Sequence, residues 1–275
     1  MLDPNWQSPY APSNEERHAN QQAVRQFAVR RRLPQNIVAA VIAAALVVGV
    51  VISPWLPVLG VALAALYVWD LRRSLVRFER QGTTLGTQVL ESFQPGGTPR
   101  DRQRLVTVLD RLAATFGVDT VSAFIIDDPG YNAALVPTGT GFSFFVSSAI
   151  MSDFELIELE GVVAHCLARQ RLGQLTRQAI ACVANLSDDA ARQLVGDALA
   201  YRADEVAAAA IRYPLGLAGA LHKCARQGVV AGSFFTGAQF AKWRWVWFNI
   251  WSDRASADLG DLDDVELRAL ALEEW

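Results

Sequence analysis

The sequence predicts an α+β fold: a mostly helical domain with a small β-sheet, preceded by a two-helix membrane hairpin. Three observations predict it. An uncharged stretch, "NIVAAVIAAALVVGVVISPWLPVLGVALAALYVW", runs from Asn36 to Trp69. Beyond it, apolar residues recur at helical spacing in several segments that open on capping residues. Between two such segments lie three short runs rich in β-branched and aromatic residues, separated by turn compositions.

With 275 residues, the chain has room for one sizeable domain and an appendage, and its hydrophobic share of 52% exceeds the usual globular value. The excess is concentrated in 36–69, with Arg30, Arg31 and Arg32 before it and Arg72, Arg73 and Arg77 after it. The run is too long and too far from the N-terminus for a cleaved signal peptide. One helix through all of it would be roughly 50 Å long, against a hydrocarbon core of about 30 Å. Pro54 and Pro57 break helix where they stand, so two helices are expected, either crossing fully or entering one leaflet. Basic flanks on both sides place both ends in the cytoplasm. The division that follows is a cytoplasmic tail with a juxtamembrane helix over 1–35, a hairpin over 36–70, a helix and linker over 71–97, and a soluble domain over 98–275. The expected location is the cell membrane, with that domain cytoplasmic.

A net charge of −3 argues against nucleic acid as a partner; anionic lipid explains the clustered arginines. Cys166, Cys182 and Cys224 form no disulfide framework and read as reduced, buried thiols.

Element by element, Ser13 and Glu16 make a capping box for a helix along "ERHANQQAVRQFAVRRR". Helix continues through "LRRSLVRFERQ", and "SFQPGGTPR" reads as linker. Thr98, Pro99 and Asp101 then start a helix whose apolar face is Leu105, Val108, Leu109, Leu112 and Phe116, closed by Gly117. "SAFIID", "NAALV" and "FSFFVSS" are strand candidates around the turns "DPGY" and "PTGTG". Ser152 and Asp153 are placed to cap the next helix, and Ser187 and Asp188 one running from "DDAARQ" to "AAAAIR". Pro214 opens another that ends at Gly228, and the acidic C-terminal stretch reads as one amphipathic helix, with Asp261 a possible cap. "FAKWRWVWFNIW" interleaves Trp243, Trp245, Trp247 and Trp251 with Lys242 and Arg244. This suits a membrane interface, a protein contact, or rings packed into the domain.

The stretch Gly161–Gly173, "GVVAHCLARQRLG", is built like a zinc-protease helix. Such a helix carries His-Glu-x-x-His, two imidazoles one turn apart gripping a metal while the Glu activates water. Here Glu160, Val162, Ala164 and His165 lead into Cys166 and Arg169, and a later segment reads Ala200, Tyr201, Arg202, Ala203, Asp204. With Asn132-Ala133 in a strand, this order of elements resembles the HtpX and CAAX prenyl protease family of membrane zinc metallopeptidases, over roughly 98–228. The resemblance implies a metallopeptidase-like fold with the zinc motif lost. Cys166 stands in place of the catalytic Glu, Arg169 in place of the second His ligand, and Ala200 in place of the third ligand, a Glu. His165 would be the surviving ligand and Asp204 the carboxylate orienting it. Asn132 and Ala133 would line a peptide groove where a partner segment adds as a strand. The His-Pro-Pro stretch often found late in that family is missing.

One imidazole is too few donors for a catalytic zinc. A guanidinium ~4 Å from a divalent ion adds roughly 8 kcal/mol of repulsion at an effective dielectric of ~20. The expectation is a degenerate site without catalytic residues, metal or cofactor, with Arg169 replacing the metal electrostatically by pairing with Asp204 or Glu160. A site rebuilt from His222, Cys224, Cys182, Cys166 and His165 has poor ligand spacing, and a Cys166–His165 protease is opposed by the divergence of adjacent helical side chains. Glu155, Glu158 and Glu160 read as a solvated helix start. The functional expectation is a membrane-anchored pseudo-metallopeptidase that binds a peptide or scaffolds another membrane protein. The alternative is an active zinc endopeptidase with a non-standard metal site, serving membrane protein quality control.

Overall fold

The computed structural model describes residues 14–32, 37, 39, 40, 42, 56–196, 199–228, 230–249 and 265–275. Its centre is a three-stranded sheet of β1 (Val121–Ile126), β2 (Ala133–Pro137) and β3 (Phe142–Ser147), in the order β1-β3-β2. β3 runs parallel to β1 and antiparallel to β2. Alternation along the strands sends Ala133, Leu135, Phe144 and Val146 to one face and Ala134, Val136 and Phe145 to the other. Both faces are buried, so each needs its own helical layer.

The first layer begins with α4 (Pro99–Phe116). Thr98 and Asp101 form a reciprocal capping box at its start, Pro99 occupies the first turn, and Gly117 ends it in the left-handed region at φ 62°. Its buried stripe is Leu105, Val108, Leu109, Leu112 and Phe116, as expected from spacing. Beside it run α6 (Leu156–Arg171), α9 (Leu199–Ile211), α10 (Pro214–Gln227) and α12 (Val265–Glu273). α6 is buried almost all round, the mark of a central helix. It meets α10 at Gly161, where an added Cβ would come within 2.7 Å of the Leu217 Cα. Glycine is therefore required there by close approach of two backbones.

The second layer contains α1 (Asn14–Arg31), α3 (Leu85–Ser92), α7 (Leu175–Val183), α8 (Asp188–Val195) and α11 (Ala238–Trp243). α1 is tied to the domain: Asn20 donates to the Leu172 carbonyl at 2.8 Å, Arg177 donates to Asn20 at 2.6 Å, and Arg202 pairs with Glu16 at 2.8 Å. Trp243, Trp245 and Trp247 pack into this layer, so the basic and aromatic stretch serves the core. Trp251, Asp261 and the Ser13 cap lie outside the described residues.

Several expectations are corrected. No membrane hairpin is found: among the described residues no helix is long and apolar enough to cross a membrane. Instead α2 (Leu56–Gln81) is one unbroken helix, with Pro57 in its first turn and "LRRSLVRFERQ" continuing it as the sequence suggests. Its second half carries Asp70, Arg72, Arg73, Arg77, Glu79 and Arg80. The apolar part before Asp70 extends only about 21 Å at ~1.5 Å per residue, short of a hydrocarbon core. Most of the expected first arm and its turn, 43–55, lies outside the described residues. The cap of α6 is Glu155, whose N–H donates to Glu158 at 2.7 Å, and not Ser152 or Asp153, which lie in the last turn of a short helix, α5 (Ser148–Asp153), capped by Ser147. Glu158 is buried rather than solvated, and Lys223 meets it at 2.6 Å. The single helix expected from Asp188 is divided at Gly196, whose φ of 81° ends α8 before α9 begins.

Candidate functional site

α6 carries His165 and Arg169 one turn apart on one face, 0% and 1% exposed. Across from them α9 presents Asp204, also buried. The His165 Nδ1 lies 2.6 Å from Asp204 Oδ1. Burial pushes the imidazole pKa down to about 3, with Arg169 and Arg268 adding to the effect and Asp204 opposing it. The ring is therefore neutral at pH 7, and the carboxylate selects the tautomer with the proton on Nδ1. Nε2 then carries a lone pair and has no hydrogen-bond partner among the described residues.

Arg268, on α12, completes the cluster. Its Nε donates to Asp204 Oδ2 at 2.7 Å and its Nη2 to Oδ1 at 2.9 Å, a bidentate pair. Its Nη1 donates to the Phe248 carbonyl at 3.2 Å. Burial alone would raise the Asp204 pKa, but the Arg268 charge and the His165 hydrogen bond outweigh it and hold it near about 2. The Phe248 ring packs edge-on against His165 at 5.1 Å and under the Arg268 guanidinium at 5.3 Å.

Arg169 does not pair with Asp204 or Glu160, as the sequence suggested. Arg268 has taken Asp204, and Arg111 pairs with Glu160. The Arg169 Nη1 instead donates to the carbonyls of Val246 and Trp247 at 3.0 and 3.1 Å. Those carbonyls belong to a segment, 246–249, laid along the outer edge of β2. Trp247 bridges Ala134 in antiparallel sense, and the Phe248 N–H donates to the Ala133 carbonyl at 2.7 Å. Asn132 closes the pairing: its Nδ2 donates to the Asn249 carbonyl at 2.9 Å, and its Oδ1 accepts from the Asn249 N–H at 2.9 Å.

The structure thus gathers His165, Arg169 and Asp204 and commits Asn132 and Ala133 to the chain's own segment. Ala200 is buried in α9 and offers no donor atom. Cys166 is fully buried in the core beside the Leu135 backbone of β2, and burial pushes its thiol up to about 12, unsuited to nucleophilic chemistry near neutrality. Cys182 and Cys224 are buried free thiols held equally high. His222 sits apart, 2.8 Å from Glu273. Among the described residues no three His, Cys, Asp or Glu side chains gather as metal ligands. Two guanidiniums and one available imidazole nitrogen do not make a donor set that fits zinc.

Arg268 is the site residue that sequence reasoning misses. Its signal is a cation on the buried stripe of α12, four positions before Leu272 and beside Ala269. No protein-family model matches the chain, and no curated protein matches it.

Proposed function

We propose that the chain is a non-catalytic, metallopeptidase-like protein that acts at a lipid bilayer as a regulatory or scaffolding partner of another membrane protein. The observation that carries this reading is Arg169, which occupies the helix position one turn after His165 and pins a segment of its own chain across the cleft. A hydrolase needs a general base and an electrophile beside an open path for substrate. Here the carboxylate is spent on Arg268, and the edge of β2 is covered by Val246, Trp247, Phe248 and Asn249. A partner strand could add at β2 only after this segment left, so contact through other surfaces is favoured. Action at a membrane is supported by the uncharged run over 36–69 and by the apolar side chains that α2 exposes, Val58, Val61 and Leu66 among them.

Metal analysis of the purified full chain, alongside casein digestion with and without a chelator, tests the reading. Substoichiometric zinc and no chelator-sensitive cleavage are expected. One zinc per chain together with chelator-sensitive cleavage would overturn it. Crosslinking in native membranes addresses the partner: a specific adduct is expected, and none under several conditions would count against the scaffolding role.

A further inference from the structure

We infer that α1 and α2 together form a binding site for the headgroup of one anionic phospholipid, an inference that rests on the proposed action at a bilayer. The two helices flank an open pocket of about 360 Å³ whose charged lining is Arg31, Arg32 and Arg77. Among the described residues Asp70 is the carboxylate that reaches this group, 3.2 Å from Arg32 and 3.8 Å from Arg77. Three cations against one anion leave the pocket positive, and planar guanidiniums suit phosphate oxygens. The rest of its lining is apolar from Ala28, Leu75 and Phe78, which suits a glycerol backbone and the first methylenes of an acyl chain, with Ser74 and Gln81 as uncharged hydrogen-bonding groups.

Position along α2 selects lipid over free phosphate. The turns immediately before the pocket expose Val58, Val61, Leu66 and Trp69, 62%, 71%, 60% and 58% accessible. The Arg73 guanidinium stacks on Trp69 at 5.2 Å. An apolar stretch ending in a Trp, followed within two turns by converging arginines, reproduces the order of acyl region, interface and phosphate layer. A phosphate held by Arg31, Arg32 and Arg77 would have its chains running beside the exposed face of α2, continuing the same apolar surface.

Native mass spectrometry of the detergent-purified full chain, after exchange into mixed phosphatidylcholine and phosphatidylglycerol, reads occupancy directly. Wild type is expected to retain one phosphatidylglycerol. The triple variant Arg31→Gln/Arg32→Gln/Arg77→Gln is expected to lose it and to partition onto phosphatidylglycerol vesicles on the order of a hundredfold less. Arg30→Gln/Arg72→Gln/Arg80→Gln, with the same change in charge outside the pocket, is expected to keep the retained lipid. Retention by the pocket variant, loss by both variants, or equal retention of phosphatidylcholine would overturn the site while leaving membrane action intact. Equal thermal stabilisation of the lipid-free protein in detergent by inorganic phosphate and by phosphatidylglycerol would overturn the assignment to lipid. Failure of wild type to associate with vesicles of either composition would remove the bilayer reading, and the site with it.

Discussion

α2 and α6 break the ordinary burial rule in opposite directions. α2 shows water a row of valines and leucines, whereas α6 buries an imidazole and a guanidinium where apolar side chains belong. The cost is met differently in each. Around α6 the remedy is internal: Asp204 engages His165 Nδ1 and Arg268, and the carbonyls of Val246 and Trp247 take the Arg169 Nη1, while His165 Nε2 keeps no partner among the described residues. Around the first half of α2 the described residues supply no cover, and under the proposed action at a bilayer the remedy is lipid. An internally balanced cluster is read in stability, and an externally balanced helix in partition between phases.

Substitutions should separate these two modes. The largest stability loss is expected from Asp204→Ala, which strands Arg268 as a buried charge and leaves the His165 Nδ1–H without its acceptor. Removing one partner of such a pair costs about 3–5 kcal/mol. Urea denaturation would check it, and a loss below about 1 kcal/mol would show that the cluster is not internally balanced. Next comes Asn132→Ala, which deletes both side-chain bonds to Asn249 and loosens the end of the segment over β2. A loss of about 2–3 kcal/mol is expected, with faster amide exchange at Phe248.

Acid should act on the same cluster. The folded pKa of His165 is lowered to about 3 and that of Asp204 to about 2, so the unfolded chain binds more protons than the folded one as pH falls below ~6.5. Stability from both groups is present at neutral pH. The His165 share is lost between ~6.5 and about 3, and the Asp204 share below ~4. Between pH 7 and pH 5 the loss from His165 is expected to be about 2 kcal/mol. His165→Asn should flatten that slope even though it lowers stability overall. The smallest effect on folding belongs to α2: Val61→Ser should change stability by less than about 0.5 kcal/mol, yet weaken vesicle partition measurably.

Local chemistry made much of the fold readable. α4 announces itself through the Thr98–Asp101 box, a five-residue apolar stripe and Gly117, all within one stretch of chain. The strands are marked by turns on either side and by alternation within. What escaped the sequence is long-range. The proximity of His165 and Asp204 comes from a family-like spacing, but the counter-ion for Asp204 stands 64 positions later in sequence, in a helix whose acidic neighbours suggest a solvated face. Arg169 was aimed at carboxylates because charge favours them. Arg268 and Arg111 reach those carboxylates instead, and the buried guanidinium turns to carbonyls. The hairpin failed on length: hydropathy saw an apolar run, while helix geometry divides it between a helix half charged from Asp70 onward and residues outside those described.

The placement of Arg268 also sets a timetable for the nascent chain. At roughly 5–20 residues per second, the 64 positions between Asp204 and its guanidinium take several seconds to translate. An α6–α9 pair closed during that interval would bury Asp204 with the His165 N–H as its partner and without the guanidinium, a state costlier than the finished fold by about 3–5 kcal/mol.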